Sequence, residues 1–384
     1  MYAMSFCVFA LIASEFMPVS LLTPIAASMR VSEGLVGYGI AISGAFAVMT
    51  SLSMNRLARD LDRRTVLMVL TSLMGLSGLL IGLAANYTTY MAGRALIGIV
   101  VGGFWSLSAA VAMRLVPSRD VPKALAIFNG GSALATVVAA PLGSYLATIV
   151  GWRGAFLSLA PIAVIALGWQ WISLPAMEVK PSAARQRSPL ALLRDRVVFA
   201  GMAGVGAFFM GQFVLFTFVR PFLETVTRLD AAHVSMVLLV VGIAGFIGTP
   251  IVSRVLERAG IFRTLILVPI AMAALAFALV LAGTSAVATT SLLGLWGLAA
   301  RMAPVGWWSW LAKTLPRDAE TGGGLMVATI QLSIALGSGI GGVLFDALGY
   351  RATFMTGGGV LLVAGGIVLL AARVQRNSHG GTNA

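Results

Sequence analysis

Residues 3–25 read AMSFCVFALIASEFMPVSLLTPI, and Glu15 is the only charged side chain among them. A helix needs about 20 predominantly apolar residues to cross the hydrocarbon core of a bilayer. The stretch is long enough for one crossing, and Glu15 falls near its centre. These residues therefore predict a membrane-spanning helix that carries a single carboxyl group close to the bilayer midplane.

The composition extends this prediction to the whole chain of 384 residues. Hydrophobic residues make up 59% and charged residues 10%, whereas soluble domains carry about 25% charged residues. A water-soluble core cannot enclose so many apolar side chains. We therefore predict an all-α membrane protein with twelve transmembrane helices. Eleven further apolar runs supply the other crossings, at 35–54, 66–85, 88–112, 124–149, 155–173, 197–221, 233–253, 264–282, 286–311, 322–345 and 352–372.

The basic residues alternate between the predicted loops. Of the 26 Lys and Arg residues, 19 lie in one set of alternate loops and the C-terminal tail, six lie in the other set, and Arg301 lies within a span. Because basic loops stay in the cytoplasm, both termini are predicted to be cytoplasmic, in the inner membrane of a bacterium. The net charge of +13 then reflects topology. We expect the lipid bilayer as a partner and no nucleic acid, since the basic residues are not clustered with exposed aromatic residues.

A basic segment, residues 175–196, separates two halves of the chain. It contains three prolines and five Lys or Arg residues, which is typical of a solvated tether. On either side we predict a six-helix bundle, at 1–174 and 197–373, followed by a cytoplasmic tail at 374–384.

The two halves resemble each other in sequence. Gly151-Trp152-Arg153 matches Gly349-Tyr350-Arg351 at an offset of 198, and Ser14-Glu15-Phe16 matches Gly211-Gln212-Phe213 at an offset of 197. Because each half contains an even number of helices, both have the same orientation, and the repeat is parallel. Such halves can rock about a central cavity, and no filter-like loop is visible, so the pattern favours a carrier over a channel.

Several motifs resemble the major facilitator superfamily and, more narrowly, bacterial purine ribonucleoside efflux pumps of its proton-coupled drug-antiporter branch. They are SEFMPVSLLTPIA, GGFWSLSAAVAMRLVP, VPKAL, APLGS, GWR, GQFVLFTFVRP and PVGWWSWL. The resemblance implies a proton antiporter that exports inosine-like or guanosine-like nucleosides, with the small molecule and protons as partners. A proton-coupled sugar or multidrug exporter of the same fold is the alternative. The chain departs from the superfamily's pattern at residues 55–64, NRLARDLDRR, where Asp and Arg are exchanged and two glycines are replaced.

Glu15 is the candidate proton-coupling residue. A charged side chain at the bilayer centre costs about 2.5–3.5 kcal/mol on insertion scales, and membrane-embedded carboxyl groups are functional by default. A group that is poised towards its neutral form can load and unload protons. The alternative is a protonated glutamate that bridges two helices. Its repeat partner, Gln212, cannot titrate and is a candidate substrate ligand.

Three arginines lie within or beside predicted spans. The resemblance implies a part in proton transfer for Arg94, although it could also be an anchor that extends to the membrane surface. Arg301 lies nearer the centre of its span, where it should be paired or face the cavity and could contact an anionic substrate group. Arg220 is expected to be an interface anchor.

Aromatic and amide side chains supply candidate substrate contacts. A base stacked on an aromatic ring gains about 1–3 kcal/mol, which suits a purine. The aromatic candidates are Phe104, Trp105, Phe213, Trp307 and Trp308. The amides Asn129 and Gln331 could bind a base edge or ribose hydroxyls. For both groups, packing between helices or against lipid is the alternative.

Charged residues in two equivalent loops are candidates for a cytoplasmic gate. They are Arg59, Asp60, Asp62, Arg63 and Arg64 in the first half, and Arg254, Glu257 and Arg258 in the second. Topology determination alone would also explain them.

Other functional classes are poorly supported by the composition. One cysteine and two histidines leave too few groups for a metal centre, a disulfide or a catalytic triad. We therefore expect a monomer with no cofactor and no enzymatic activity.

Overall fold

The computed structural model describes residues 1–58, 61–114, 121–177, 189–315 and 318–380, and all regular structure in these ranges is helical. The predicted gate residues Arg59 and Asp60 lie outside the described residues. The side chains of Asn129 and Glu257 also lie outside them, although their backbones are helical.

The first half of the chain forms six helices. These are α1 (Tyr2–Met29), α2 (Glu33–Leu57), α3 (Arg63–Gly82), α4 (Tyr87–Arg114), α5 (Val121–Leu157) and α6 (Leu159–Ser173). The predicted linker contributes one helical turn, α7 (Pro189–Leu192), and its residues 178–188 lie outside the described part.

The second half begins at the last residue of the predicted linker. Its helices are α8 (Arg196–Phe216), α9 (Val219–Thr225), α10 (Ala231–Ala259), α11 (Ile261–Ala282), α12 (Ala286–Thr314) and α13 (Ala319–Gly380). The prediction of one helix over 197–221 was wrong at its end, because the chain bends at residues 217–218. Pro221 explains the bend: it lacks the N–H that would bond the Thr217 carbonyl, and its ring crowds that carbonyl.

Two glycines divide the longest helices into separate crossings. Gly151 in α5 has φ 73° and Gly349 in α13 has φ 77°, a region of backbone conformation that favours glycine. With α13 divided at Gly349, the end of α5 after Gly151 taken together with α6, and α8 taken together with α9, the described chain contains twelve apolar crossings. The predicted all-α membrane fold is confirmed.

The backbone repeats with the offset found in the sequence. Gly151 and Gly349 are 198 residues apart, and so are Arg30 and Arg228, the two described non-glycine residues with positive φ, at 54° and 59°. Each member of these pairs occupies the same place in its half. The parallel repeat therefore extends to unusual backbone conformations that packing of apolar helices alone would not require.

Aspartate side chains cap the first turns of several helices at the membrane surface. Asp62 accepts a bond from the backbone N–H of Arg64 at 3.0 Å, and Asp195 accepts one from Val197 at 2.7 Å. Asp230 accepts the backbone N–H of His233 at 2.9 Å, and this bond lowers the pKa of Asp230. These carboxylates satisfy N–H groups that the first helical turn leaves unpaired.

The hydrophobic cores follow the two halves. Two clusters consist almost wholly of residues before 178, and the third consists almost wholly of residues after 191. The halves meet where α2 packs on α13 and where α5 packs on α10. We call the end that holds residues 57–58, 61–63, 173–177, 189–196 and 259–261 the linker end, and the opposite end, with residues 29–33, 216–231 and 346–351, the far end.

Candidate functional site

A cavity of about 290 Å³ lies between the two halves. Helices α1, α4 and α5 line it from the first half, and α8, α10, α12 and α13 line it from the second. Seven of the predicted site residues contribute to its wall: Glu15, Trp105, Gln212, Phe213, Arg301, Trp308 and Gln331. The lining residues lie around the middle of the bundle, and they reach Trp308 on α12 towards the linker end and Phe216 on α8 towards the far end.

Glu15 contacts the opposite half directly. Its Oε1 accepts a hydrogen bond of 3.0 Å from Nε2 of Gln331, which lies 316 residues away on α13. The side chain is buried, at 7% exposure. Gln331 was predicted to bind substrate, but in this conformation its amide is bound to the carboxyl group. The pair forms a polar bridge across the cavity, in a wall that is otherwise largely apolar.

Arg94 lies beside Glu15 without bonding its carboxyl group. Its guanidinium donates to the carbonyls of Gly39 at 3.0 Å, Ser14 at 3.2 Å and Glu15 at 3.3 Å. The side chain is fully buried, so it does not extend to the membrane surface as an anchor would. Arg94 holds α1 and α2 against α4, and it places a positive charge behind Glu15.

Arg301 differs from Arg94 in its surroundings. It lies on α12 in the cavity wall, and none of the described side chains or carbonyls lies within hydrogen-bonding or ion-pairing distance of its guanidinium. Its stem passes Gly245 of α10, where an added methyl group would lie 3.0 Å from the Arg301 Cγ. The absence of a side chain at Gly245 gives the arginine room in the wall.

The two halves contribute equivalent aromatic residues to the cavity. Phe16 and Phe213 are repeat partners, and their ring centroids lie 5.9 Å apart across the interface. Phe16 was missed by the sequence reasoning, although its place beside Glu15 and opposite Phe213 was a usable signal. Trp296 also lines the cavity and was missed, because nothing in the sequence distinguishes it from a packing residue.

Phe104 and Trp307 do not line the cavity. Phe104 is 1% exposed within the core of the first half, and Trp307 is 2% exposed and packs edge-to-face on Trp310 at 5.7 Å. Each is followed by a tryptophan that does reach the cavity, Trp105 or Trp308. We therefore leave Phe104 and Trp307 out of the proposed binding site.

Besides the Arg301 guanidinium, two buried side-chain atoms of the cavity wall have no described partner. They are Oε1 of Gln212 and Nε1 of Trp296, an acceptor and a donor that are both buried. Buried polar groups are nearly always hydrogen-bonded, so such exceptions mark places where a water or a ligand can bind after a small rearrangement.

The described gate residues of the first half make bonds within that half. Asp62 accepts the N–H of Met177 at 2.9 Å, Arg63 donates to the Ala58 carbonyl at 2.7 Å, and Arg64 donates to the Trp171 carbonyl at 2.6 Å. Arg254 and Arg258, in the second half, are exposed. Their predicted role in closing the cytoplasmic side stays a prediction.

The far end contains polar contacts that do cross between the halves. Arg220 on α9 donates to the carbonyl of Ser20 on α1 and to Oγ of Ser144 on α5, the latter at 3.1 Å. Its Nε also pairs with Glu224 at 2.8 Å. Only 4% of Arg220 is exposed, so the expectation of an interface anchor at the membrane surface was wrong. The residue fastens one half to the other.

A second contact closes the far end between α2 and α13. Asp346 accepts the backbone N–H of Gly34 at 3.0 Å and the hydroxyl of Ser32. Gly34 and Gly342 allow this approach, since a methyl group on Gly34 would lie 2.6 Å from the Gly342 carbonyl. Nothing in the sequence indicated this contact, because its partners are more than 300 residues apart.

The chain matches the family model of the Major Facilitator Superfamily over residues 4–331. It is 58% identical over 374 residues to the "Transcription regulatory protein OpdE" of Pseudomonas aeruginosa, covering 97% of this chain and 93% of that protein. It is 37% identical over 373 residues to the "Purine ribonucleoside efflux pump NepI" of Salmonella typhimurium, covering 97% and 94%.

A solved structure shares the fold. A bacterial homologue of the human lysosomal transporter Spinster, in an inward-facing and unoccupied conformation, superposes with a TM-score of 0.75. The match covers 97% of this chain and 96% of that one, at 14% identity. At this level of identity the likeness concerns the fold alone.

Proposed function

The chain belongs to the major facilitator superfamily, and we propose that it exports purine ribonucleosides from the cytoplasm in exchange for protons. It is a multi-pass membrane transporter by family and fold. The observation that carries the proposal is the bond between Glu15 and Gln331 in a cavity between the two halves.

The coupling follows from what Glu15 can bind. A carboxylate accepts hydrogen bonds only, whereas the protonated group also donates one. Protonation therefore changes the contact with Gln331 and the polarity of the cavity at the same time. If a bound solute needs one charge state and the return of the empty protein needs the other, each transport cycle exchanges one proton for one solute.

The aromatic lining supports a nucleoside as that solute. Phe16, Trp105, Phe213 and Trp308 contribute aromatic rings from both halves of the protein. Stacking on a base contributes about 1–3 kcal/mol for each contact by alanine substitution. The relative named as a purine ribonucleoside efflux pump supports the same class of solute.

The contacts between the halves favour an inward-facing conformation. Arg220 and Asp346 join the halves at the far end, while Asp62 and Arg64 at the linker end bond residues of their own half. With the linker end in the cytoplasm, as the basic loops predict, the cavity would receive solute from the cell. The protein is then poised at the loading step of export, in the bacterial inner membrane.

The energetics are sufficient for one proton. A proton that enters down a potential of 100 mV supplies about 2.3 kcal/mol. At about 1.4 kcal/mol per decade, this sustains a roughly fortyfold gradient of a neutral solute. One titrating group is enough for this stoichiometry.

Inverted vesicles energised with an inward-directed proton pump test the proposal. Addition of inosine should release protons from vesicles that contain the protein, and Glu15→Gln should reduce this release to background because glutamine cannot carry the proton. Glu33→Gln, the same substitution at the start of α2 outside the cavity, is the matched control and should keep the release. Unchanged release by Glu15→Gln would contradict the role of the carboxyl group.

Sugar or multidrug export by the same fold remains the alternative solute assignment. A panel of nucleosides, sugars and lipophilic dyes in the same assay separates these classes. Release by dyes but not by any nucleoside would overturn the nucleoside assignment while leaving proton exchange intact.

Regulation is the second candidate function, since the relative at 58% identity is named a transcription regulatory protein. A membrane-embedded regulator would bind its signal without moving it. Inosine binding to the purified chain, combined with no inosine uptake and no proton release in vesicles, would favour regulation over transport.

A further inference from the structure

We propose that Arg301 selects the purine by donating two hydrogen bonds to its O6 and N7 atoms, so that the cavity prefers 6-oxopurine nucleosides over adenosine. This inference rests on the proposed nucleoside transport and adds the residue that discriminates between bases.

Arg301 differs from the other buried arginines, Arg94 and Arg220, in its hydrogen-bond partners. Arg94 donates to three backbone carbonyls, and Arg220 donates to a carbonyl, a hydroxyl and a carboxylate. Both side chains have the partners that a buried guanidinium needs. Arg301 lines the cavity, and the described part of the chain supplies it with no such acceptor. A guanidinium carries five N–H donors and no acceptor, so a ligand that enters the cavity can supply the acceptors that Arg301 lacks.

The position of Arg301 suits recognition of a base edge. Its stem is held in the slot that Gly245 leaves, and Ala300 and Pro304 flank it in the cavity wall. The other ionisable residue of the described wall, Glu15, is bound to Gln331 and forms no ion pair with Arg301. The guanidinium therefore needs neutral acceptors or an anion, and a neutral purine supplies acceptors without a further charge.

The donor pattern then distinguishes the bases. Guanine and hypoxanthine place two acceptors, N7 and O6, side by side, which matches the fork of an arginine. Adenine places the N6 amino group, a donor, where O6 would be, so one bond is lost and two donors face each other. By the usual discrimination of such a bidentate pair, adenosine should bind between about fivefold and a hundredfold more weakly than inosine.

Competition on the unaltered protein gives the first test. Full-length protein in energised inverted vesicles is supplied with labelled inosine, and unlabelled inosine, adenosine or 7-deazainosine competes for its uptake. Because 7-deazainosine keeps O6 but lacks the N7 acceptor, it should compete at least about fivefold more weakly than unlabelled inosine. Equal competition by all three nucleosides would overturn the inference without any change to the protein.

Substitution gives the second test. Arg301→Met should weaken inosine competition and leave adenosine almost unchanged, so that the ratio between them approaches one. Arg301→Lys keeps the positive charge but loses the paired N–H donors of the guanidinium. This variant should retain part of the preference for inosine over adenosine. Arg263→Met, an exposed arginine at the start of α11, is the control and should retain the wild-type ratio.

The outcomes separate this inference from the function on which it rests. Nucleosides that bind and drive proton release with the same inosine-to-adenosine ratio in wild type and Arg301→Met would overturn the role of Arg301 alone. If no nucleoside binds or drives proton release, and benzoate or another carboxylate does, both the inference and the nucleoside assignment fail, and Arg301 is the site of an anion.

Discussion

At the scale of single residues, the bond between Glu15 and Gln331 connects the proposed proton site to the contact between the halves. The carboxyl group lies on α1 and the amide on α13, and the bond of 3.0 Å joins the two halves in the cavity wall. Any event that protonates, displaces or solvates Glu15 therefore acts on both halves at once. Substrate that enters the cavity meets this bond, which makes it a natural place for proton and solute to compete.

A double-mutant cycle measures this connection. Glu15→Leu and Gln331→Leu should each destabilise the protein in detergent, and the double variant should lose less than the sum of the two. We expect a coupling energy of about 0.5–3 kcal/mol, the usual range for residues that share a hydrogen bond. A second cycle that combines Gln331→Leu with Glu33→Leu is the control, and there the losses of stability should be additive. Additive effects in the Glu15 cycle would mean that the bond contributes no net stability.

Neighbouring residues show what the sequence could not resolve. Trp105 and Trp308 line the cavity, whereas Phe104 and Trp307, one position earlier, lie in the cores. Consecutive residues on a helix point about 100° apart. In a membrane protein, however, the helix face towards the core, the face towards lipid and the face towards the cavity are all apolar. The spacing of the apolar residues therefore predicts a helix, but it does not indicate which of two neighbouring aromatic residues lines the cavity.

At the scale of helices, close packing of α2 on α13 depends on small residues. A methyl group on Gly44 would lie 2.7 Å from the Gln331 carbonyl and 2.8 Å from the Ala335 side chain. Helices in lipid gain their association from such close approaches, because no hydrophobic driving force acts between them. The contact also fixes the stretch of α13 that presents Gln331 to Glu15.

Gly44→Ala tests this packing. The added methyl group should destabilise the present conformation by about 1–3 kcal/mol, as overpacking usually does. The measurement is the thermal unfolding midpoint of the purified protein together with inosine-driven proton release. Gly130→Ala, where a methyl group would meet nothing within 4 Å, is the matched control and should be neutral or slightly stabilising. Equal effects of the two substitutions would contradict the packing argument.

The helices themselves were largely predictable, and their mutual contacts were not. Apolar runs and the offset of 198 residues predicted the crossings and the parallel repeat, because both can be read from the order of residues alone. The bend before Pro221 was missed because proline is tolerated within other spans, such as Pro24 in α1. The contacts of Arg220 and Asp346 join distant parts of the chain, and a single sequence contains no measure of such proximity.

At the scale of the whole molecule, a few polar contacts join the two halves at the far end. Asp346 bonds Gly34 and Ser32, and Arg220 bonds Ser20 and Ser144. Hydrogen bonds to charged groups contribute about 1.5–3 kcal/mol each, so loss of one can shift the balance between inward-facing and outward-facing states at least about tenfold. The far end is thus a place where substitution should change conformation without touching the cavity.

Asp346→Ala should increase access to the cavity from outside the cell. A cysteine introduced at Ala139, in the cavity wall, reports this access in a Cys7→Ser background, which removes the single native cysteine. We expect labelling of intact cells by a membrane-impermeant maleimide to rise about tenfold relative to the parent. Glu33→Gln, at the same end of the bundle, is the control. Unchanged labelling by Asp346→Ala would show that this contact does not hold the far end closed.

The anchoring of Arg94 has a consequence for how such a protein diversifies. Its three partners are main-chain oxygens of α1 and α2, which every amino acid possesses. Exchange of side chains on those helices leaves the anchor intact, so the wall keeps its shape while its chemistry varies. Proteins that share this scaffold can therefore change their substrate by substitution of a few cavity-lining residues, while the contacts that hold the helices together stay the same.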